Sequence, residues 1–345
     1  MKQRFVWVKV AGLGLLLLLV MIFAISVGSA DLSMLDSLQI VLSKVPVLEN
    51  VVDVSELAAT YDKIIWQVRM PRIMTSALVG GALAIVGATF QGVFQNSLAD
   101  PHILGVSSGA ALGATFAMLT GVSVSFMGLG TIGVFAFLGA LLTVFLVYRV
   151  AGVGGQISTT NMLLTGTAIS TMLSSIISLL MTFNNNQIAK VYMWTMGSFS
   201  SATWEKVLFL TVFVLVGTVT LIAYSGKLNI LMMGEEDAQC LGVDVARTKS
   251  LLIITASLLV AASVSVSGII GFVGLIIPHC VRMLCGSDNR KLIPYVFVIG
   301  AIFLVFCDTI ARTIAAPTEI PVGIITSIFG APYFVMLVIT RRRKV

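Results

Sequence analysis

The stretch SGKLNILMMGEEDAQCLGVDVARTK, residues 225–249, interrupts a chain that is otherwise apolar almost from end to end. Seven of its 25 residues are charged. Burying each of these charges in a bilayer would cost about 2.5–3.5 kcal/mol. Residues 228–233 are apolar except for Asn229, but this run is too short to cross a membrane. The stretch therefore predicts two short helices at the membrane surface, with membrane spans before and after them.

The second of these helices has sequence signals at both ends. Gly234 precedes three acids, at positions 235–237, which complement the helix dipole in a first turn. Gly242 follows Leu241 at the place where a left-handed cap is usual. Two interpretations remain open from the residues alone. The helix offers apolar and acidic side chains to a partner outside the bilayer, or it is a solvated loop.

Composition assigns the whole chain to one class. It has 345 residues, of which 58% are hydrophobic and 10% charged, and its mean hydropathy is +1.05. These values predict an all-α, polytopic membrane protein with a single transmembrane domain over residues 1–345. The net charge of +6 does not indicate a nucleic-acid partner, because the basic residues lie at chain ends and in loops. The four cysteines follow no disulfide spacing.

Hydropathy divides the chain into ten predicted spans. The first is long enough to be an uncleaved span and not a signal peptide. The spans lie near Val6–Gly28, Ile73–Phe94, Ile103–Thr120, Phe126–Val150, Met162–Phe183, Trp204–Tyr224, Leu251–Ser267, Ile269–Cys285, Ile293–Ile314 and Ile320–Thr340. An even number puts both termini on one side, and assigning that side to the cytoplasm places 14 of the 21 Lys and Arg residues inside. Residues 225–249 are then cytoplasmic, and residues 29–67 form a long, acidic external loop.

Two spans carry small residues at every fourth position, and a third carries hydroxyls. Gly80 to Gly92 in the second span and Gly105 to Gly121 in the third predict close helix packing. The hydroxyls of the fifth span either bond carbonyls of their own helix or line a polar path. They lie on one face, at Thr167, Thr171, Ser174, Ser178 and Thr182.

Ionisable residues are rare within the spans. Asp308 and Arg312 are one helical turn apart near the outer end of the ninth span, which predicts that they pair with each other. We find no mid-span series of Asp, Glu or His of the kind that ion-coupled carriers use. His279 with Cys280 and Cys285 has no metal-ligand spacing, and no P-loop occurs. We therefore expect no catalytic residue, no metal and no bound cofactor in this chain.

Several long motifs, in order, resemble one known family. They cover nearly everything after the first span. They are VRMPR (68–72), NSLADPHILGVSSGA (96–110), STTNMLLTG (158–166), LNILMMGEEDAQCLGV (228–243), GIIGFVGLIIPHCVR (268–282), GSDNRKLIP (286–294) and EIPVGIITSIFGAPYF (319–334). The chain is thereby similar to FecCD-type permeases of ABC importers for iron-siderophores, haem and cobalamin.

The resemblance implies a ten-span permease in the cytoplasmic membrane of a prokaryote. Its partners would be a second permease subunit in a homodimer, two cytoplasmic ATPases that use ATP and Mg, and an extracytoplasmic binding protein. Transport would follow alternating access at the dimer interface. A secondary carrier or channel is the alternative class, and a membrane enzyme is the third. Missing mid-membrane charge counts against a carrier, and the lack of a clustered acid, base or metal counts against an enzyme.

The resemblance also implies roles for particular residues. Arg69, Arg72 and Arg312 would dock the binding protein. Asn96, Leu98, Thr159 and Thr160 would narrow the path at its cytoplasmic end, and the fifth span would line it. Residues that couple the ATPase to the bundle would be Gly234, Glu235, Glu236, Ala238, Leu241, Gly242 and Val243. Within that set we expect apolar contact from Ala238, Leu241 and Val243, with the acids meeting basic groups of the partner.

Overall fold

The computed structural model describes residues 2–28, 33–44, 59–152 and 159–342. These ranges are helical, and the described chain contains no β-strand beyond one isolated bridge between Phe126 and Leu129. The helices are α1 (Lys2–Ser26), α2 (Met34–Ser43), α3 (Ala59–Lys63), α4 (Met70–Val93), α5 (Val106–Thr120), α6 (Thr131–Ala151), α7 (Thr159–Phe183), α8 (Ile188–Thr195), α9 (Trp204–Leu231), α10 (Glu235–Cys240), α11 (Val245–Ser267), α12 (Val273–Cys285), α13 (Asn289–Thr313) and α14 (Val322–Arg342).

The ten predicted spans correspond to ten apolar helices among the described residues. Seven are long and apolar enough to cross a membrane, α5 and α12 are shorter, and α14 is apolar over Val322–Met336. This confirms the predicted all-α, polytopic class. Most helices begin several residues before or after the predicted start; α11, for example, begins at Val245 and not near Leu251. α5 begins three residues late, after Gly105 at a φ of +76°, and α9 continues past Tyr224 to Leu231. The apolar run 228–233 is therefore mostly the last turn of a span, and the prediction of a separate first surface helix is wrong.

α4 lies at the centre of the bundle, in contact with α9, α11, α12 and α13. Small residues allow this close approach, as predicted. A Cβ atom added to Gly80 would lie 2.3 Å from the carbonyl oxygen of Gly300. One added to Gly87 would lie only 1.8 Å from that of Gly274. The backbones of α4, α12 and α13 thus touch directly where side chains would separate them.

A wide π turn, Ile64–Arg69, joins α3 and α4 into one long helix. The carbonyl oxygen of Trp66, within this turn, accepts a hydrogen bond of 2.7 Å from the indole Nε1 of Trp204. The two indole rings are also stacked, with centroids 6.2 Å apart. Much of the predicted external loop is thus helical, as α2 and the start of this long helix. The rest of that loop, at 29–32 and 45–58, lies outside the described residues.

Hydrogen bonds define the two ends of the bundle. At the Glu235 end, Gln95 after α4 donates to the carbonyl of Leu231 at the end of α9, at 2.8 Å. At the Arg72 end, the start of α4 meets the end of α13 through Arg72 and Asp308. Gly166 of α7 lies against residues 103–104, and Gly105 lies against Gly166. The non-helical segment 94–105 therefore packs against α7 before α5 begins.

Candidate functional site

α10 is a short helix with a defined turn at each end. Gly234 before it has a φ of +136°, and Gly242 after it a φ of +78°. The N–H of Gly242 donates to the carbonyl of Gln239 at 2.9 Å, and that of Val243 to Ala238 at 3.0 Å. This pair of bonds is a Schellman motif. The predicted left-handed cap at Gly242 is confirmed.

The apolar side chains of this segment divide between the interior and the surface. Ala238 is fully buried and Val243 is 9% exposed, so both pack within the chain. Our prediction that Ala238 and Val243 contact a partner is wrong. Tertiary contacts determine which side of a short helix is turned to the interior. Leu241 and Met233 are instead 60% and 65% exposed. They are the large apolar side chains that this surface offers.

The acids of α10 also divide. Glu235 forms a salt bridge with Lys249 of α11, whose side chain is only 11% exposed. Glu235 therefore binds α10 to α11, while its own side chain stays 53% exposed, so its contact with a partner stays a prediction. Glu236 and Asp237 are exposed. Two acids and two large apolar side chains thus remain on the outer surface of this segment.

Amide side chains beneath α10 connect three helices. Asn229 of α9 donates to Asp288 at 2.7 Å and accepts from the N–H and the side chain of Asn289, each at 2.8 Å. Gln95 adds the bond from the end of α4 to Leu231. No role was predicted for these residues. The available signal was Asn229, a lone amide inside the apolar run before α10.

α7 presents a hydroxyl face that its own chain leaves uncovered. Only 11% of its span is buried, and Thr167, Thr171, Ser174 and Ser178 are all exposed. Thr171 donates to the carbonyl of Thr167 at 3.0 Å, and Ser178 to that of Ser174 at 3.0 Å. The hydroxyls therefore bond within their own helix and at the same time line an open face. The bonds within the helix are therefore confirmed, and the polar path stays a prediction.

The predicted gate residues lie in two separate segments. Asn96 and Leu98 are exposed in the turn after α4, where Oδ1 of Asn96 accepts the N–H of Leu98 at 2.9 Å. Thr159 and Thr160 form the first turn of α7. No hydrogen bond within the described chain joins the two pairs. Leu98 instead lies beside His279 and Tyr333 around a small pocket.

The three arginines predicted to dock a binding protein are buried. Arg69, Arg72 and Arg312 are 5%, 6% and 7% exposed. Arg69 donates to the carbonyl of Ile25 at 2.5 Å, and Arg312 to that of Ala24, so both bind the end of α1. The three guanidinium groups are therefore engaged within the chain. The docking role itself stays a prediction.

Asp308 pairs with a different arginine from the one predicted. Arg72 holds it through two nitrogens, at 2.9 Å and 3.0 Å, and also reaches Glu319 at 2.7 Å. No salt bridge joins Asp308 to Arg312 in the described chain. The i,i+4 spacing favoured Arg312, but Asp308 forms its bidentate pair with Arg72, which lies on another helix and 236 residues away in the sequence.

One interior histidine was not predicted. His102, in the segment before α5, lies 3.0 Å through Nε2 from the carbonyl of Ile270 and contacts Ser107 through Nδ1. It joins the two non-helical segments between α4 and α5 and between α11 and α12. The sequence signal was its place in a polar loop between apolar spans. Within the described ranges, no cluster of three or more His, Cys, Asp or Glu residues could hold a metal.

Comparisons with known proteins agree with this architecture. The profile of the FecCD transport family matches residues 16–340. The cobalamin import system permease protein BtuC of Halobacterium salinarum is 46% identical over 278 residues, which are 81% of this chain and 74% of that protein. The molybdate import system permease protein MolB of Haemophilus influenzae is 37% identical over 334 residues, 96% of this chain and 95% of that one.

A solved structure gives the same result in three dimensions. An inward-facing metal-chelate type ABC transporter matches with a TM-score of 0.82 and 34% identity, over 96% of this chain and 99% of the other. A bundle of apolar helices with one uncovered hydroxyl face and a helix mounted at one end defines a polytopic membrane permease. This chain belongs to the FecCD transport family. It is a transport subunit of the ABC importer class, in which a separate ATPase hydrolyses ATP, and is not itself an enzyme.

Proposed function

We propose that this permease imports a metal chelate, of the iron-siderophore, haem or cobalamin kind, by alternating access between two copies of the chain. Two ATPases act at the Glu235 end, and an extracytoplasmic binding protein delivers substrate to the Arg72 end. The Glu235 end and both termini face the cytoplasm of a prokaryote. The observation that carries this proposal is α7, a membrane-length helix that is only 11% buried and yet carries a row of hydroxyls.

The uncovered face of α7 favours a path between two copies over a lipid-facing role. Thr167, Thr171 and Ser178 satisfy their donors within the helix, so lipid would tolerate them. Lipid would not gain from them, however, whereas water in a path can bond the remaining acceptor sites of the same oxygens. A second copy of α7 across such a path would supply a matching wall. Asn96, Leu98, Thr159 and Thr160, near the Glu235 end, would narrow it.

The exposed side of α10 is the proposed contact with the ATPase. Burying one leucine such as Leu241 contributes about 1.5–3 kcal/mol, while an exposed ion pair of Glu236 or Asp237 contributes about 0–1 kcal/mol. The apolar contacts would therefore supply most of the affinity, and the acids would set orientation. Glu235, Gly234 and Gly242 would fix the position of α10 on the bundle.

Docking of the binding protein at the three arginines stays a prediction, and it requires that the arginines release some of their present contacts. Arg69 and Arg312 already bind carbonyls of α1, and Arg72 binds Asp308 and Glu319. A binding protein could use these guanidinium groups only if some of those contacts opened. Glu319, whose side chain is 43% exposed, covers Arg72 from the solvent side.

The test is reconstitution of the permease with its ATPase and binding protein in liposomes. We expect chelate uptake only with ATP, and Leu241→Asp should lose about tenfold or more of the ATPase that co-purifies. Leu35→Asp is the matched control, because Leu35 is 71% exposed on α2 at the opposite end. Uptake without ATPase would identify a secondary carrier instead. Equal complex yield for Leu241→Asp and wild type would reject α10 as the contact.

Molybdate is a second candidate substrate, because the MolB relative matches the chain over almost its full length. A small oxyanion and a bulky chelate differ most clearly at the binding protein, which must hold the substrate tightly. Calorimetric titration of that protein with cyanocobalamin, haem, a ferric siderophore and molybdate would decide between them. Tight binding of molybdate alone would overturn the chelate proposal and leave the permease assignment intact.

A further inference from the structure

The Arg72 end contains an open cleft that the transport proposal does not use. It lies where the end of α5, the start of α6, α8, the start of α9 and the end of α11 meet, and has a volume of about 470 Å³. A second hollow of about 420 Å³ adjoins it. The two share much of their lining and form one continuous cleft. The shared residues are Met118, Ile132, Lys190, Trp194, Ser201 and Val266.

Two lysines reach this cleft without a carboxylate partner. Lys206 is half-buried, and its Nζ donates to the carbonyl of Ser201 at 2.7 Å and to the hydroxyl of Ser201 at 3.0 Å. An ammonium group has three donors, so one remains for a ligand. Lys190 is exposed at the same cleft. Within the described chain no carboxylate lies within 4.0 Å of either ammonium group, whereas Lys249 and Lys291 are both paired.

Hydroxyl groups complete a polar wall next to the lysines. Ser198 and Ser200 bond each other at 3.1 Å, and both line the cleft beside Ser201. Opposite them the cleft floor is apolar, with Met118 and Ile132. The cleft thus joins two ammonium groups and several hydroxyls to apolar side chains, and its one carboxylate, Glu319, is paired with Arg72. This combination suits a ligand with an anionic head and an apolar body.

The depth of the cleft in the bilayer is indicated by its neighbours. Trp194 lines it, and the stacked pair Trp66 and Trp204 lies at the same end of the bundle. Tryptophans of membrane proteins concentrate at the headgroup level. The loop between α5 and α6, beside the mouth of the cleft, exposes apolar side chains. They are Val122, Val124, Phe126 and Met127, which are 41–59% exposed. Exposed apolar side chains of this kind suit the membrane interface better than water.

We propose that this cleft binds the phosphate group of an anionic phospholipid, with Lys190 and Lys206 as its cationic ligands. Phosphate accepts charge-assisted hydrogen bonds from ammonium groups, and the hydroxyls of Ser200 and Ser201 donate to its remaining oxygens. A zwitterionic lipid fits less well, because its choline group would bring a third positive charge to the two lysines. Lys190 and Trp194 belong to α8, and Lys206 belongs to α9. A bound phosphate therefore links these two helices, which no salt bridge within the described chain connects.

The test is native mass spectrometry of the full-length permease released from nanodiscs that contain equal amounts of phosphatidylglycerol and phosphatidylcholine. Wild type should retain phosphatidylglycerol, and each lysine-to-glutamine change should weaken its retention by about fivefold. The variants are Lys190→Gln and Lys206→Gln. Lys44→Gln is the control, because it removes a positive charge at the same end from a residue already paired with Asp62 at 3.6 Å.

Further arms distinguish the sources of the anion. Excess inorganic phosphate should not displace the lipid, and displacement would overturn the proposal in favour of a free-anion site. Equal retention of phosphatidylcholine, or unchanged retention in both lysine variants, would also overturn it. So would a loss of binding-protein docking with unchanged lipid retention, which would reassign the cleft to a protein partner. Lys190 is exposed, so Lys190→Gln gives a readout even where Lys206→Gln fails to fold.

Discussion

Helices α4 and α7 are of nearly equal length, and each is apolar enough to span a membrane, but the chain treats them in opposite ways. In the most apolar stretch of each helix, 89% of the residues are buried for the helix that contains α4 and 11% for α7. Glycines of α4 touch the backbones of α12 and α13, whereas hydroxyls of α7 have only their own helix as a partner. The difference indicates that α4 stabilises the fold of a single chain, whereas the exposed face of α7 interacts with its surroundings.

The largest effect should follow from breaking the ion pair at the start of α4. Arg72→Met would leave Asp308 buried without its bidentate partner, which costs about 3–5 kcal/mol. We expect most of the variant to aggregate, as measured by size-exclusion chromatography of a fluorescent fusion. Arg247→Met is the matched control, because Arg247 pairs with Asp244 through a side chain that is 90% exposed. A monodisperse Arg72→Met with unchanged melting temperature would contradict the assigned role of α4.

A smaller but cleaner effect should come from a single methyl group on α4. Gly87→Ala places a Cβ within 1.8 Å of the carbonyl oxygen of Gly274, so α12 must move away. Overpacking of this kind costs about 1–3 kcal/mol. The same change at Gly12 of α1, where nothing lies within 4 Å, should leave the melting temperature unaltered. Equal melting temperatures for the two variants would show that the contact between α4 and α12 accommodates an added methyl group.

On α7 the same kind of change should affect transport and not stability. Thr171→Leu alters an exposed residue, so unfolding free energy should stay within about 0.5 kcal/mol of wild type. Uptake in liposomes should fall severalfold, because an apolar side chain would replace a polar wall of the path. Thr220→Leu is the control, since Thr220 bonds its own helix in the same way on α9, at 2.8 Å. If both variants transported equally well, α7 would face lipid.

The smallest effect should appear at the first turn of α7. Replacing Thr159 and Thr160 with glycine should slightly raise the leak of a small dye from liposomes that lack the ATPase, because the constriction would widen. The comparison is the same double substitution at Thr211 and Thr220 of α9, which are not buried and whose hydroxyls bond within their own helix. A leak equal to that of wild type would remove the two threonines from the constriction.

The spans of this chain were predictable because hydropathy is a local property that the bilayer enforces. The cap at Gly242 was predictable for the same reason, since it depends on one residue. The partner of Asp308 was not, because sequence separation favours Arg312 and only the fold brings Arg72 beside it. Nor was the burial of Ala238 and Val243, whereas Leu241 is exposed, as its predicted role requires. In a six-residue helix, facing is determined by the neighbours α9 and α11 and not by a repeating pattern.

The π turn at Ile64–Arg69 has a consequence for the descent of this chain. A π turn amounts to one extra residue inserted into an α-helix. Removing one residue there would restore a regular helix and rotate everything before it, including Tyr61, by roughly 100°. It would also return the carbonyl of Trp66 to an ordinary helix bond and withdraw it from Trp204. We therefore expect relatives with a one-residue gap in this turn to lack a tryptophan at the position of Trp204, so that the insertion and the indole were gained or lost together.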